Sequence, residues 1–149
     1  MSRRRVIAIA FALLAFIPLA SAGAAKISRA EGPTLALLRA NYFSVWGVGY
    51  AATATANENM FRAFMEQKPS LEDARLLIQE GTPAGKIYGL LAIKKLSPEQ
   101  FSNLAPKFLK QRNRVNVMRG CDPSPTTEST GKLVRRISDG DVILHQRRK

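Results

Sequence analysis

The chain contains little cysteine and little histidine, and both shortages exclude classes of site. Its 149 residues include one cysteine, Cys121, and one histidine, His145. A lone cysteine cannot close an intramolecular disulfide, and a structural zinc site needs about four Cys or His ligands. The sequence therefore predicts no structural metal, and none of its motifs specifies a cofactor.

The most basic part of the chain, residues 107–149, contains a single aromatic residue, Phe108. Residues 107–149 hold 11 basic and 4 acidic side chains, a net charge of +7, yet no Phe, Tyr or Trp follows Phe108. Nucleic-acid-binding surfaces usually interleave aromatic and basic residues, so we expect no nucleic-acid partner. A basic region instead attracts an acidic protein or an anionic envelope component such as a polymer or lipid headgroup. The alternative is a surface that only keeps the protein soluble.

A strongly apolar run lies near the N-terminus. Residues 6–19 carry no charge and follow three arginines at positions 3–5. The run is shorter than the roughly 20 apolar residues of a bilayer-spanning helix. The sequence ASA at 20–22 then has the small-x-small pattern of a signal-peptidase site. These features predict a cleavable secretory signal peptide, removed after Ala22, and a mature bacterial protein in the periplasm or secreted.

Cleavage at this point leaves one small domain. Removing residues 1–22 from the 149 leaves residues 23–149, which are 127 residues. The three arginines lost with the signal lower the net charge from +12 to +9. A chain of this length forms a single domain with a modest core, and no stable membrane span is expected after cleavage.

Capping signals predict a mainly α fold. A first helix is expected over residues 33–43, and four more should begin after capping residues at 55, 70, 82 and 97. Each cap precedes apolar residues at helical spacing. Gly81 is predicted to be a left-handed C-cap, and Pro106 to kink or restart the last helix. Short connections favour antiparallel helix hairpins in an irregular stack that resembles helical-repeat folds, including HEAT repeats.

The pattern changes after residue 114. Alternating residues 115–118 predict a short strand, residues 122–131 a surface loop, and residues 131–138 a basic helix. The apolar run at 142–144 predicts a second strand. The expected architecture is therefore mainly α, with two short strands near the C-terminus.

Four segments together resemble a known family. They are GVGYA at 47–51, GTPAGKIYGL at 81–90, GC at 120–121 and ISDG at 137–140. In this order they are similar to an uncharacterised family of small exported bacterial proteins, named after an accessory gene of a microcin cluster. The resemblance covers residues 44–145. It implies a mainly helical, repeat-like fold outside the cytoplasm, and it implies no established activity.

Two glycine-containing segments superficially fit nucleotide or phosphate motifs. Gly47-x-Gly49-x-x-Ala52 matches the spacing of a dinucleotide fingerprint, but that motif requires a strand before it and a helix after it. The segment GTPAGK at 81–86 combines glycines, a helix start and Lys86, although its spacing differs from a Walker loop. Close packing of small residues and helix capping explain both segments without a ligand.

The chain has one cysteine, which could act as a nucleophile, and one histidine, which could act as a base. Cys121 and His145 could form a catalytic pair, with Asp139 or Asp141 as the orienting group. The alternatives are a half-buried thiol at a turn and a thiol that links two chains. The remaining acidic side chains are interpreted as helix caps and solvated helix faces: Glu58, Glu66, Glu72, Asp73, Glu80 and Glu99.

The leading functional hypothesis is an exported, non-catalytic binding or interaction protein. Within this class, the alternative is an immunity or inhibitor protein for an exported toxin. From a different class, the alternative is a cysteine-dependent enzyme that uses Cys121 and His145. A third hypothesis is a structural envelope protein that binds an anionic polymer through residues 107–149.

Overall fold

The computed structural model describes residues 32–48, 53–120 and 124–142. Within these ranges the protein is mainly helical, as predicted, with one two-stranded antiparallel sheet near the C-terminus. The predicted signal peptide, Cys121 and His145 lie outside the described residues. The elements in chain order are α1 (Pro33–Leu38), α2 (Ala56–Glu66), α3 (Leu71–Glu80), α4 (Pro83–Leu96), α5 (Pro98–Leu104), α6 (Pro106–Leu109), β1 (Arg114–Val117), β2 (Thr126–Ser129) and α7 (Thr130–Asp139).

Three of the four predicted caps close the start of their helices. The side chains of Thr55, Ser70 and Thr82 each accept a hydrogen bond from the backbone N–H three residues later. Such a bond satisfies a donor that the helix itself leaves unpaired. Ser97 makes no side-chain cap, and α5 begins on Pro98 alone. The first helix is shorter than predicted: it ends at Leu38 and not at residue 43.

Helix α4 is the centre of the core. Every residue from Ala84 to Ile93 is buried except Lys86. The helical spacing of apolar residues predicted burial of one face only, whereas nearly the whole circumference of the helix is buried. A helix that is apolar all round needs neighbours all round. Helices α3, α5 and α7, together with β1, supply those neighbours.

Helices α3 and α4 form a tight hairpin. A Cβ atom built on Gly89 would lie 2.8 Å from the carbonyl oxygen of Ala74, so only glycine permits this approach. Gly81 connects the two helices, but its φ of −73° and ψ of 160° are extended. The predicted left-handed cap at Gly81 is therefore wrong. The left-handed glycine cap lies at Gly140, whose φ of 83° ends α7.

The sheet differs from the prediction in its second strand. Strand β1 pairs antiparallel with β2, with Val115 opposite Glu128 and Val117 opposite Thr126. On its other side, β1 is bridged in parallel by Phe43. The second strand thus lies where a surface loop was predicted. Val142 of the run predicted as a strand is buried outside any strand, and residues 143 and 144 lie outside the described ranges.

Pro106 separates two helices, as predicted. Helix α5 ends at Leu104, and α6 begins on Pro106 after a single intervening residue. Proline lacks the N–H that would continue the ladder. None of the helices in the described ranges is long and apolar enough to cross a membrane.

Candidate functional site: two buried carboxylates and a cationic cluster

Glu58 occupies the interior beside the first glycine-rich segment. Its side chain has no solvent exposure. Oε2 accepts a hydrogen bond from the Gly47 N–H at 3.0 Å, and Oε1 accepts one from Arg62 Nη2 at 2.6 Å. The sequence predicts Glu58 to be a helix cap or a solvated side chain, but its buried carboxylate bonds to Gly47 and Arg62, so that interpretation is wrong. The carboxylate holds the 43–48 segment to α2, because an N–H buried at Gly47 requires an acceptor.

Tyr88 provides a second polar contact to the same segment. Its hydroxyl donates to the Ser44 carbonyl and accepts from the Ser44 N–H, both at 2.9 Å. The ring packs between Phe43 and Phe61, with centroids 4.8 Å and 5.2 Å away. Burial is the main reason that the pKa of Tyr88 lies above its usual value. The hydroxyl therefore acts as a structural hydrogen-bonding group.

These contacts weigh against the dinucleotide hypothesis. The Gly47 N–H points to Glu58, so it is not available to a pyrophosphate. Val48 and Thr53 exchange two backbone hydrogen bonds. Gly49 and Ala52 lie outside the described residues. A dinucleotide site requires a strand directly before its first glycine, and residues 44–46 form no strand.

Glu128 is the second buried carboxylate, and it forms ion pairs with basic side chains. Its side chain is 4% exposed, and three basic groups surround it. Arg119 Nη2 lies 3.0 Å and Arg136 Nη1 3.5 Å from Oε1, while Lys132 Nζ lies 3.7 Å from Oε2. We call these four residues the Glu128 cluster. Its formal charge is +2, because one carboxylate faces three cations.

The fold of the C-terminal region explains the cluster. Glu128 lies on β2 opposite the buried Val115, so its side chain points to the inner side of the sheet. Ser129 ends the strand and also caps α7 by accepting from the Lys132 N–H. Lys132 and Arg136 are four residues apart, which places them on the same helix face. Strand, cap and helix therefore bring Glu128, Lys132 and Arg136 together, and Arg119 joins them from the irregular segment after β1.

Trp46 fixes one member of the cluster. The Arg136 guanidinium lies 4.9 Å from the centre of the Trp46 ring, within the range of a cation–π contact. The indole Nε1 donates to the Asp141 carbonyl at 3.3 Å. Arg136 is thus held between a carboxylate and an aromatic face, whereas Arg119 and Lys132 remain 40% and 60% exposed. Two oriented but accessible cations are available to an anion.

The segment at 81–86 does not assemble a phosphate loop. Pro83 has no N–H, and the Gly85 N–H is taken by the Thr82 hydroxyl. Lys86 lines a different pocket, with Phe108 and Thr130. Gly85 instead allows the end of α1 to approach, since a Cβ there would lie 2.6 Å from the Leu37 carbonyl oxygen. The explanation by capping and close packing therefore accounts for this segment.

The other predicted site residues are not brought together in the described structure. Asp139 and Asp141 are exposed near the end of α7. Their proposed partners, Cys121 and His145, lie outside the described ranges, so the catalytic-pair hypothesis stays a prediction. In those ranges, no three His, Cys, Asp or Glu side chains converge as metal ligands.

No protein-family model, curated protein or solved structure matches this chain. The resemblance of segments 47–51 and 81–90 to the exported family consequently stays a prediction. The functional evidence is the geometry of the charged surfaces.

Proposed function

We propose that this protein is an exported, non-catalytic binding protein that recognises an anionic polymer through the Glu128 cluster. The observation that carries the proposal is the convergence of three cations on one buried carboxylate, with two of them largely accessible. The N-terminal sequence supports export, since it combines three arginines, an uncharged run and a small-x-small site.

The arrangement suits recognition better than a uniformly basic surface would. A long cationic side chain loses conformational freedom when it binds, and this loss weakens association. In the Glu128 cluster, the carboxylate and Trp46 already restrict Arg136, and Glu128 restricts Arg119. Arg119 carries five N–H donors, so its contact with Glu128 leaves donors for a partner.

Affinity chromatography on heparin, a sulfated polysaccharide, tests the proposal. We expect the protein to be retained at low ionic strength and to elute steeply with salt, because binding releases counterions from the polymer. The double variant R119Q/K132Q should elute at clearly lower salt. The matched control K107Q/K110Q also removes two exposed charges from the basic region but leaves the cluster intact, and it should elute close to the wild type. Thermal unfolding of both variants checks the fold.

Trp46 offers a local readout of the same event. It is the only tryptophan in the chain, and it lies directly under Arg136. Saturation with the polymer should shift the tryptophan emission in the wild type and in K107Q/K110Q. Absence of retention at low salt, or equal elution of the two double variants, would overturn the proposal.

The predicted export has its own test. The intact mass of the protein recovered from the envelope or the medium should correspond to a chain beginning at Gly23. In the alternative proposal, the protein is an immunity or inhibitor protein, and its anionic partner is an exported toxin and not a polymer. It predicts a saturable complex with one protein and weak, non-selective retention on heparin.

A further inference from the structure

A second positively charged site lies on the opposite face of the small sheet. A pocket of about 240 Å³ is lined by Arg39 and Asn41 after α1, by the start of α4, and by Arg114 and Asn116 of β1. Arg114 and Asn116 are exposed, while their neighbours in β1 are buried. Because side chains alternate along a strand, this outer face is separate from the inner face that carries Glu128.

Main-chain hydrogen bonds hold the walls of the pocket. The Thr82 N–H donates to the Leu38 carbonyl at 3.0 Å, and the Thr82 hydroxyl donates to the Ala40 carbonyl. The Phe43 N–H donates to the Asn116 carbonyl at 2.8 Å. These bonds fix the three segments relative to one another, and none of them uses the side chains of Arg39, Arg114 or Asn116. Such a frame is preorganised for a ligand.

No acidic side chain among the described residues compensates the charge of the pocket. Its lining includes Arg39 and Arg114 and no acidic residue. No ion pair among the described residues includes either arginine. Two cations that line one pocket repel each other, so an anion between them would relieve an unfavourable interaction.

The pocket also contains two amide side chains. Asn41 and Asn116 each carry an NH₂ group that can donate to an anion, and the Asn116 Nδ2 donates a long hydrogen bond, 3.4 Å, to the Asn41 backbone carbonyl. The start of α4 adds little, since Pro83 has no N–H and the Gly85 N–H is already bound. The site therefore depends on side chains of two arginines and two asparagines.

We propose that this pocket binds a phosphate group. Two guanidinium groups match the nearly two negative charges of a phosphomonoester, and each guanidinium can bind two phosphate oxygens at once. The volume of about 240 Å³ is below the roughly 300–1,000 Å³ of pockets that enclose drug-sized ligands. It fits one small group, either free phosphate or the phosphorylated end of a larger molecule. This site is independent of polymer binding at the Glu128 cluster.

Calorimetric titration of the full-length mature protein tests the assignment at low ionic strength. We expect inorganic phosphate and glycerol 3-phosphate to bind with one site per chain, and acetate at the same ionic strength to bind at least tenfold more weakly. R39Q and R114Q should each weaken phosphate binding about tenfold, the effect of losing one charge-assisted hydrogen-bonding group. R112Q removes an exposed arginine from the same segment that does not line the pocket, and it should bind like the wild type.

The outcomes separate the source of the phosphate from the existence of the site. Tighter binding of glycerol 3-phosphate than of phosphate supports a phosphorylated molecule, and equal binding supports the free ion. Both arginines are exposed, so the unfolding temperature of R39Q and R114Q without ligand should be unchanged or slightly higher. Failure of phosphate to bind, acetate binding as tight as phosphate, or equal weakening in R112Q and R114Q would overturn the proposal.

Discussion

Glu58 and Glu128 are both buried, yet they lie in opposite electrostatic surroundings. In the described part of the chain, Glu58 has one cationic neighbour, Arg62, and a backbone N–H, so its charge is balanced there. Glu128 has three cationic neighbours, so the fold around it retains excess positive charge at the surface. Glu58 therefore connects two segments of the fold, whereas Glu128 orients cations that remain partly exposed, and the proposed binding function rests on this difference.

The strongest test of this comparison is Glu58→Ala. The change leaves the Gly47 N–H and the Arg62 guanidinium without the carboxylate that they contact in the interior. Removing one partner of a buried ionic contact costs about 3–5 kcal/mol, so urea unfolding should show a loss of that size. If E58A does not fold, E58Q provides the measurement, with a smaller loss of about 1–3 kcal/mol. Wild-type stability for both variants would contradict the structural role.

The second test removes a hydroxyl from the same interior region. Tyr88→Phe keeps the ring between Phe43 and Phe61 but leaves both backbone groups of Ser44 without the hydroxyl. Because unsatisfied buried polar groups are costly, the free energy of unfolding should fall by about 1–3 kcal/mol. Heparin retention of the folded protein should not change. A loss of retention without a loss of stability would place Tyr88 in the binding surface.

The third test concerns the other buried acid, Glu128. Glu128→Gln raises the net charge by one, which by charge alone would strengthen binding to a polyanion. We expect retention on heparin to weaken, since Arg119 and Lys132 lose the group that orients them. The free energy of unfolding should change by only about 1 kcal/mol, because the cations around Glu128 are themselves partly exposed and remain solvated when its charge is removed. Later elution than the wild type would show that total charge, and not orientation, controls binding.

The smallest expected effect is at Ser44. Its hydroxyl is buried and has no hydrogen-bond partner among the described residues. Ser44→Ala removes that unsatisfied group, so stability should stay within about 0.5 kcal/mol of the wild type or increase slightly. A large loss would show that the hydroxyl, rather than the Ser44 backbone, anchors this segment.

Local signals predicted the helices well. The caps at Thr55, Ser70 and Thr82 and the break at Pro106 act within one turn, so neighbouring residues specify them. Strand β2 was missed because Thr126–Ser129 is polar and resembles a loop. It becomes a strand because it pairs with β1, whose valines are buried.

The candidate sites depend on contacts between distant segments. Glu58 has the sequence context of an exposed cap, and only the Gly47 N–H makes it an interior acceptor. Arg39 and Arg114 are far apart in the chain, so no spacing rule connects them. The four-residue spacing of Lys132 and Arg136 was a usable signal, because such spacing places charges on one helix face, whereas Glu128 reaches them from β2.

Because β2 continues directly into α7, the pairing of the strand fixes how α7 is rotated about its own axis. Ser129 is both the last strand residue and the helix cap, so no flexible residue separates the two elements. A slip of one residue in strand pairing would move Glu128 to the outer face, and each residue added or removed at the junction turns a helix by about 100°. The charge pattern at the surface is therefore set by the pairing register of four residues rather than by α7 alone.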